Sequence, residues 1–266
     1  MQITNDIKLI EKQLNQSQQD WLIQALAKLS NCQQNAEDIE LELLNQSVLV
    51  KRLFSQTISL NSPYKEFELA DFIRLILLKA ALEILSSIHL NDAEQYQQAI
   101  KTLLKNYYQY GDESEKCALL KSLSFIDHQG LAVQTAIKAC RCNSLNEYSA
   151  IALNNPYPAA YFPELNFNQL VLKSLFMGLN IEQITDLTKR LNQKLSNMCF
   201  SYAIEQALAD RIPPDSIWQG IIFDQLDDEN KSQLTHYLMH FKQQNHAHDT
   251  QIQKALTEQN ALNLLV

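Results

Sequence analysis

Residues 67–90 read FELADFIRLILLKAALEILSSIHL and form the most apolar stretch of the chain. Apolar side chains recur through this stretch at helical spacing: Phe72, Leu75, Ile76, Leu78, Ala81, Leu82 and Leu85. A stripe this wide covers more than one side of a helix, so the helix must be buried on several sides. The stretch therefore predicts a central helix with other helices packed around it.

Glycine is scarce, with four residues in 266, and this scarcity disfavours β structure. Hairpin turns and phosphate-binding loops need glycine at positive φ. The patterns on both sides of the central stretch are helical, with short breaks at 61–63 and 127–130. We predict an all-α protein, a single compact domain over residues 1–266 with roughly a dozen helices; a degenerate helical-repeat (solenoid-like) arrangement is the alternative.

The apolar spacing also gives approximate bounds for the other helices. They are predicted at 20–32, 37–59, 92–110, 113–126, 131–141, 144–153, 167–178, 181–187, 193–210, from 213 through Trp218, from 227 to 242, and at 250–265. Gly111 is expected to end its helix at the position that favours left-handed backbone.

Charge and length exclude several kinds of partner. The net charge is −8 and no basic cluster of five residues occurs, which disfavours nucleic acid and anionic membrane surfaces. No apolar run is long enough to insert directly into a membrane, and the first residues lack the pattern of a signal peptide. Five scattered cysteines, an odd number, suggest reduced thiols, so we expect a cytoplasmic protein.

Two groups of residues have part of the spacing of a metal site. Cys140 and Cys142 lie at C-x-C spacing, but no second pair completes a zinc site. His236 and His240 lie one helical turn apart, but no glutamate lies between them as a zinc protease would require. We expect these two histidines, with His246 and His248, to be solvated, and predict no metal and no cofactor.

Residues 154–165, NNPYPAAYFPEL, hold three of the six prolines and three aromatic residues. Proline disfavours helical backbone at the residue before it, so Pro156 and Pro158 predict an extended segment that presents Tyr157. Asn166 is then the predicted N-cap of the next helix, with Gln169 completing a capping box.

Four further positions have both a structural and a functional interpretation. Lys173 is the only charge between residues 165 and 182, so its ammonium either meets an anion or reaches water from the helix edge. Asn192 is the expected N-cap of the helix at 193–210, which leaves Arg190 in the turn before it. The polar face of that helix includes Glu205, and simple exposure to solvent explains this face as well as a ligand-binding role does.

Four short motifs in this region occur in a fixed order. They are the Asn-Pro-Tyr-Pro element at 155–158, Asn-Gln-Leu-Val-Leu-Lys at 168–173, Arg-Leu-Asn at 190–192 and Tyr-Ala-Ile-Glu at 202–205. Together they resemble the signature of EboA-type proteins. The similarity is strongest over residues 150–221, and the first sixty residues add little to it.

The resemblance implies a protein encoded in a bacterial gene cluster for trafficking or processing secondary metabolites, beside a prenyltransferase-like membrane protein and TIM-barrel proteins. It supplies no catalytic mechanism. Where the family tends to have His, Arg and Trp near the glutamate, this chain has Ile204, Gln206 and Ala207, so part of a polar site is changed. The candidate ligand-binding residues are Asn155, Tyr157, Asn168, Lys173, Arg190, Asn192, Tyr202 and Glu205.

Three functions follow as alternatives. The first is an accessory protein that binds a small, possibly anionic metabolite without catalysis, since Lys173 and Arg190 suit a phosphate or carboxylate. The second is a helical scaffold that docks partner proteins from the same cluster. The third is an isomerase- or transferase-like enzyme that uses Lys173 or Glu205 as acid or base.

Overall fold

The computed structural model describes residues 3–32 and 35–265, and within these two ranges the secondary structure is helical without any β-strand. The predicted all-α class is therefore confirmed. Packing contacts group the chain into two units, Met1–Ile151 and Ala152–Val266. The expectation that all 266 residues form one domain stays a prediction.

The first unit contains seven helices and all but the last residue of an eighth. They are α1 (Ile3–Ile10), α2 (Gln16–Asn31), α3 (Ala36–Leu53), α4 (Leu69–Ile88), α5 (Ala93–Tyr110), α6 (Glu113–Ile126), α7 (Val133–Ala139) and α8 (Leu145–Ala152). A 3₁₀ turn at Glu11–Gln13 follows α1.

Helix α4 is the centre of the first unit, as its apolar stripe predicts. It packs against α1, α2, α3, α5 and α6, and its residues from Leu69 to Leu82 are all buried. Three of these buried residues are charged, and each has partners on another helix. Lys79 pairs with Asp6 of α1 at 2.5 Å, Asp71 pairs with Lys121 of α6 at 2.6 Å, and Arg74 donates to the Ser47 carbonyl of α3.

Two predictions in the first unit are wrong in detail. Helix α3 ends at Leu53 instead of residue 59, because Phe54 leaves the helix and packs edge-on against Trp21 in the core. Gly111 follows α5 with a φ of −67°, which is not left-handed. Its need for glycine is one of space, since a Cβ there would lie 2.8 Å from the Tyr107 carbonyl oxygen.

The second unit contains α9 (Tyr157–Tyr161), α10 (Glu164–Phe176), α11 (Leu187–Arg190), α12 (Gln193–Leu208), α13 (Asp228–Gln244) and α14 (His246–Glu258). Short 3₁₀ turns lie at Ile181–Gln183, Asp215–Gly220, Phe223–Gln225 and Leu262–Leu265. The helix predicted at 181–187 is thus a 3₁₀ turn, and the helix predicted at 250–265 begins at His246 and ends at Glu258.

His248 corrects the expectation of four solvated histidines. His236 and His246 are exposed, but His248 is 1% exposed and stacks on Phe241. Trp218 Nε1 donates to its Nδ1 at 2.9 Å, and its Nε2 lies 3.0 Å from the Pro213 carbonyl oxygen. Since Nδ1 accepts, Nε2 carries the proton and donates to that carbonyl, and the ring is neutral.

The charged pair between α1 and α4 gives a stability prediction. Replacing Lys79 with Met leaves the buried Asp6 carboxylate without its cation, so we expect a loss of about 3 kcal/mol or more in the free energy of unfolding. Asp6→Asn in the same chain should recover part of that loss. Lys65→Met, at an exposed pair with Glu66, is the control and should change stability by less than about 1 kcal/mol. Urea denaturation measures all four proteins, and equal effects of Lys79→Met and Lys65→Met would contradict the prediction.

The buried histidine gives a pH prediction. Burial, the largest effect, lowers the pKa of His248, against smaller raising effects from the Pro213 carbonyl and Asp215. A lowered pKa in the folded state means that the unfolded chain takes up the proton first. The contribution of His248 to the free energy of unfolding is therefore fully present above its unfolded-state pKa of about 6.5. It decreases as the pH falls from there towards the lower pKa of the folded state.

Thermal unfolding between pH 8 and pH 5 checks this expectation. The wild type should lose more Tm on acidification than His248→Gln, which cannot ionise. His246→Gln, at an exposed position two residues away, should behave as wild type does. Parallel loss of Tm in wild type and His248→Gln would show that other groups carry the pH dependence.

Candidate functional site

All eight candidate residues lie in the second unit, on or next to α9, α10, α11 and α12. Five of them, Asn155, Tyr157, Asn168, Arg190 and Asn192, form an inner group that bonds to the protein's own backbone or side chains. The other three, Lys173, Tyr202 and Glu205, are half-buried or exposed and form an outer group.

The proline-rich segment is a short helix and not the extended stretch that its prolines predict. Pro156 is the N-cap of α9 with φ −75° and ψ −13°, and Pro158 lies in the first turn. Proline is tolerated there because the N–H groups of a first turn have no partner within the helix. Asn155 fixes the entry, since its side-chain oxygen accepts from the Tyr157 N–H at 3.0 Å. Tyr157 is fully buried, and its ring meets that of Tyr161 at 4.8 Å between centroids.

Arg190, the last residue of α11, holds the end of α9. Its Nη1 donates to the carbonyls of Pro158, at 3.4 Å, and Ala159, while Nη2 donates to the carbonyl of Phe162 at 2.7 Å. Its guanidinium also lies over the Phe167 ring, 4.5 Å from the centroid. The last carbonyls of a helix lack partners within it and carry partial negative charge, so a cation stabilises them. Arg190 is therefore committed to the backbone of the proline-rich segment.

Asn168 and Asn192 bond to each other across the starts of two helices. Each side-chain amide donates to the other's oxygen, at 3.1 and 3.0 Å. Asn192 also accepts from the Leu195 N–H at 2.9 Å, which confirms it as the N-cap of α12, and donates to the Arg190 carbonyl at 3.1 Å. These contacts join α10, α11 and α12 at one end.

The predicted N-cap at Asn166 is wrong, because α10 already begins at Glu164 after Pro163. Proline before the first residue starts the helix without a side-chain cap. Asn166 therefore lies within the first turn of α10, and Gln169 does not form a capping box with it. Asn168 still points into the inner group because it lies four residues into the helix and is 1% exposed.

The outer group lies where α10 and α12 run side by side. Glu164 and Lys194 are 3.8 Å apart at the beginning of the pair, and Phe176 meets Tyr202 edge-on at 4.5 Å at its far end. The two helices therefore run in the same direction. Lys173 precedes Phe176 by three residues, so both lie on one face of α10. Glu205 follows Tyr202 by three residues on α12, so these two residues also share one helix face.

Tyr202 keeps its hydroxyl proton on this face. Partial burial, the largest effect, raises the pKa of Tyr202; Arg211 acts in the opposite direction and Glu205 raises it further. The phenol is therefore neutral near neutral pH and can donate a hydrogen bond. Ile204, Gln206 and Ala207, the positions that depart from the family pattern, are half-buried beside it.

Sequence reasoning did not single out two aromatic residues that the structure places at the site. Phe167 receives the Arg190 guanidinium, and Phe176, 57% exposed, pairs with Tyr202. The three-residue spacing from Lys173 to Phe176 is a helical-face signal that could have indicated the second. No periodic signal links Phe167 to Arg190, because they are brought together only by the turn between α10 and α12.

A cleft of about 260 Å³ lies in the first unit and is separate from these residues. Its lining comes from α4, α5, the end of α6 and the segment after it, and comprises Lys79, Leu82, Glu83, Ser86, Tyr96, Ile100, Ile126, Asp127, His128, Gln129 and Leu131. None of the eight candidate residues lines this cleft.

Within residues 3–32 and 35–265, no group of three or more His, Cys, Asp or Glu side chains is placed to hold a metal ion. The described helices also include none with the length and apolar character needed to cross a bilayer.

A protein-family model described as "Metabolite traffic protein EboA" matches residues 4–222. The chain belongs to the EboA family. The match begins at residue 4, so the EboA similarity also covers the first sixty residues, where the motifs added little. It ends before α13, which leaves α13 and α14 outside it. No curated protein and no solved structure gives a match.

The contacts of Arg190 give a prediction for this EboA chain. Arg190→Lys keeps the charge, but its three donors share one nitrogen and it has no planar group. It cannot reach the three separated carbonyls and also stack on the Phe167 ring. We expect a loss of about 2 kcal/mol in the free energy of unfolding, measured by urea denaturation. Arg141→Lys, at an exposed position, is the matched control and should be neutral. A neutral Arg190→Lys would mean that the guanidinium contacts do not stabilise the fold.

Proposed function

We propose that this EboA protein binds a small anionic metabolite without catalysis, as an accessory protein of a bacterial secondary-metabolite gene cluster in the cytoplasm. The family description supports a role in metabolite traffic. The observation that carries the binding proposal is the outer face of α10 and α12, where Lys173 lies on the same face of α10 as the exposed Phe176, whose ring packs against the half-buried Tyr202 of α12. The metabolite would contact this face and not the inner group.

The chemistry of the face suits an aromatic or prenylated anion. The edge-on pair of Phe176 and Tyr202 offers apolar and ring surface for stacking. Lys173 supplies a cation for a carboxylate or phosphate, and the protonated Tyr202 hydroxyl supplies a donor. A few polar groups beside aromatic surface is the usual composition of small-molecule sites.

The hydrogen bonds of the inner group support a structural role for its residues, although the sequence also proposed them as ligand contacts. Arg190 is bonded to three carbonyls, and the side chains of Asn168 and Asn192 are bonded to each other. A ligand that used these groups would have to replace existing hydrogen bonds, which lowers the net gain from each contact. The scaffold and enzyme alternatives stay predictions.

A thermal-shift assay on the full chain tests the proposal. The probes are indole-3-carboxylate, neutral indole and glucose 6-phosphate, which separate aromatic from anionic requirements. We expect the aromatic anion to raise Tm most, by about 5 °C at 100-fold its Kd, because ligand binding to the folded state contributes about 2.7 kcal/mol there.

Substitutions on α10 and α12 test whether the ligand binds at their outer face. Lys173→Met and Tyr202→Ala should each remove most of the shift, while Lys194→Met, an exposed lysine on α12, should keep it. If none of the three probes stabilises the protein, the class of ligand is wrong. If a probe stabilises Lys173→Met as well as it does wild type, the metabolite does not bind at this face.

A further inference from the structure

Helix α3 has a second apolar face that points away from the core. Its core face holds Ile39, Leu43, Gln46, Ser47 and Val50, all buried. On the opposite side Leu41 is 60% exposed, Val48 57% and Leu49 42%. Exposed apolar residues that occur singly need no explanation, but three on one helix face form a patch of the kind that binds a partner.

The residues on this face are arranged symmetrically about Asn45. At 100° per residue, Asp38, Leu41, Asn45, Val48, Leu49 and Arg52 fall within one arc of about 100° on the helix surface. All six are exposed. Going outward from Asn45 in either direction, the face is first apolar, at Leu41 or at Val48 and Leu49. It is then charged, with Asp38 at one end and Arg52 at the other.

We infer that this face of α3 is an interface between two copies of the chain, which pair α3 with α3 antiparallel across a two-fold axis at Asn45. A two-fold interface must be complementary to itself. Antiparallel pairing places Leu41 against Val48 and Leu49 of the partner subunit and Asp38 opposite Arg52 of the partner subunit. Parallel pairing would place like charges together.

Each part of the face has a distinct effect in this pairing. Burial of the three apolar side chains drives association. The Asp38–Arg52 pairs lie at the rim, so they select orientation and add little affinity. Asn45 meets its own copy on the axis, and a polar residue at such a position fixes register at some cost in stability. One helix pair is a small interface, so the dimer is expected to be weak and dependent on concentration.

Sedimentation velocity of the full chain over micromolar to submillimolar concentrations tests association. The wild type should convert from monomer to dimer as concentration rises. Leu41→Glu should remain monomeric, because it places a carboxylate on each side of the axis. Leu90→Glu is the control at an equally apolar site, 77% exposed and outside α3, and should dimerise as wild type does. Circular dichroism confirms that both variants are folded.

A cysteine at the axis tests the geometry independently of Leu41→Glu. Cysteines at Asn45 would lie close enough to form a disulfide only if the two α3 helices cross there, since a disulfide needs Cα atoms within about 7 Å. Under mild oxidation Asn45→Cys should give a covalent dimer on a non-reducing gel, well above Leu90→Cys, which also controls for the five native cysteines. A wild type that is monomeric throughout, a Leu41→Glu protein that still dimerises, or equal cross-linking of the two cysteine variants would each overturn the inference.

Discussion

The first four helices of the second unit, α9 to α12, depend on one cation that is placed against the end of a helix. Arg190 bonds to carbonyls at the end of α9 and stacks on Phe167 of α10, while its own carbonyl accepts from Asn192 at the start of α12. One residue thus connects four helices. Its position explains why a proline-rich segment can end as a single helical turn: the carbonyls that such a turn leaves unpaired receive donors from a charged group.

The first unit is organised by the same principle around α4. This helix is apolar enough to be buried on several sides, yet it carries Asp71, Arg74 and Lys79 into the core. Burying a charge is costly unless it is paired, so each of the three directs a particular neighbour to a particular place. Asp6 of α1, Ser47 of α3 and Lys121 of α6 supply those partners. Apolar burial supplies the driving force, and the charges fix which helix lies where.

The two proposed surfaces differ from these interior networks in their exposure to solvent. The outer face of α10 and α12 and the exposed face of α3 carry aromatic or aliphatic groups with charged neighbours. The EboA signature residues fall into two groups. One group makes structural hydrogen bonds between helices and turns: Asn155, Asn168, Arg190 and Asn192. The other group lies at the surface: Lys173, Tyr202 and Glu205.

The sequence by itself determined the all-α class, the central position of α4, the N-cap at Asn192 and the family to which the chain belongs, because apolar period, capping and short motifs are local signals. Only the tertiary structure decided what Arg190, Asn168 and His248 contact. The hydrogen-bond partners of these three side chains lie 24 to 35 residues away in the chain, a separation that no local pattern encodes. The extended backbone predicted for the proline-rich segment is wrong for the same reason: its prolines favour extended backbone locally, and the carbonyl bonds to Arg190 favour a helical turn.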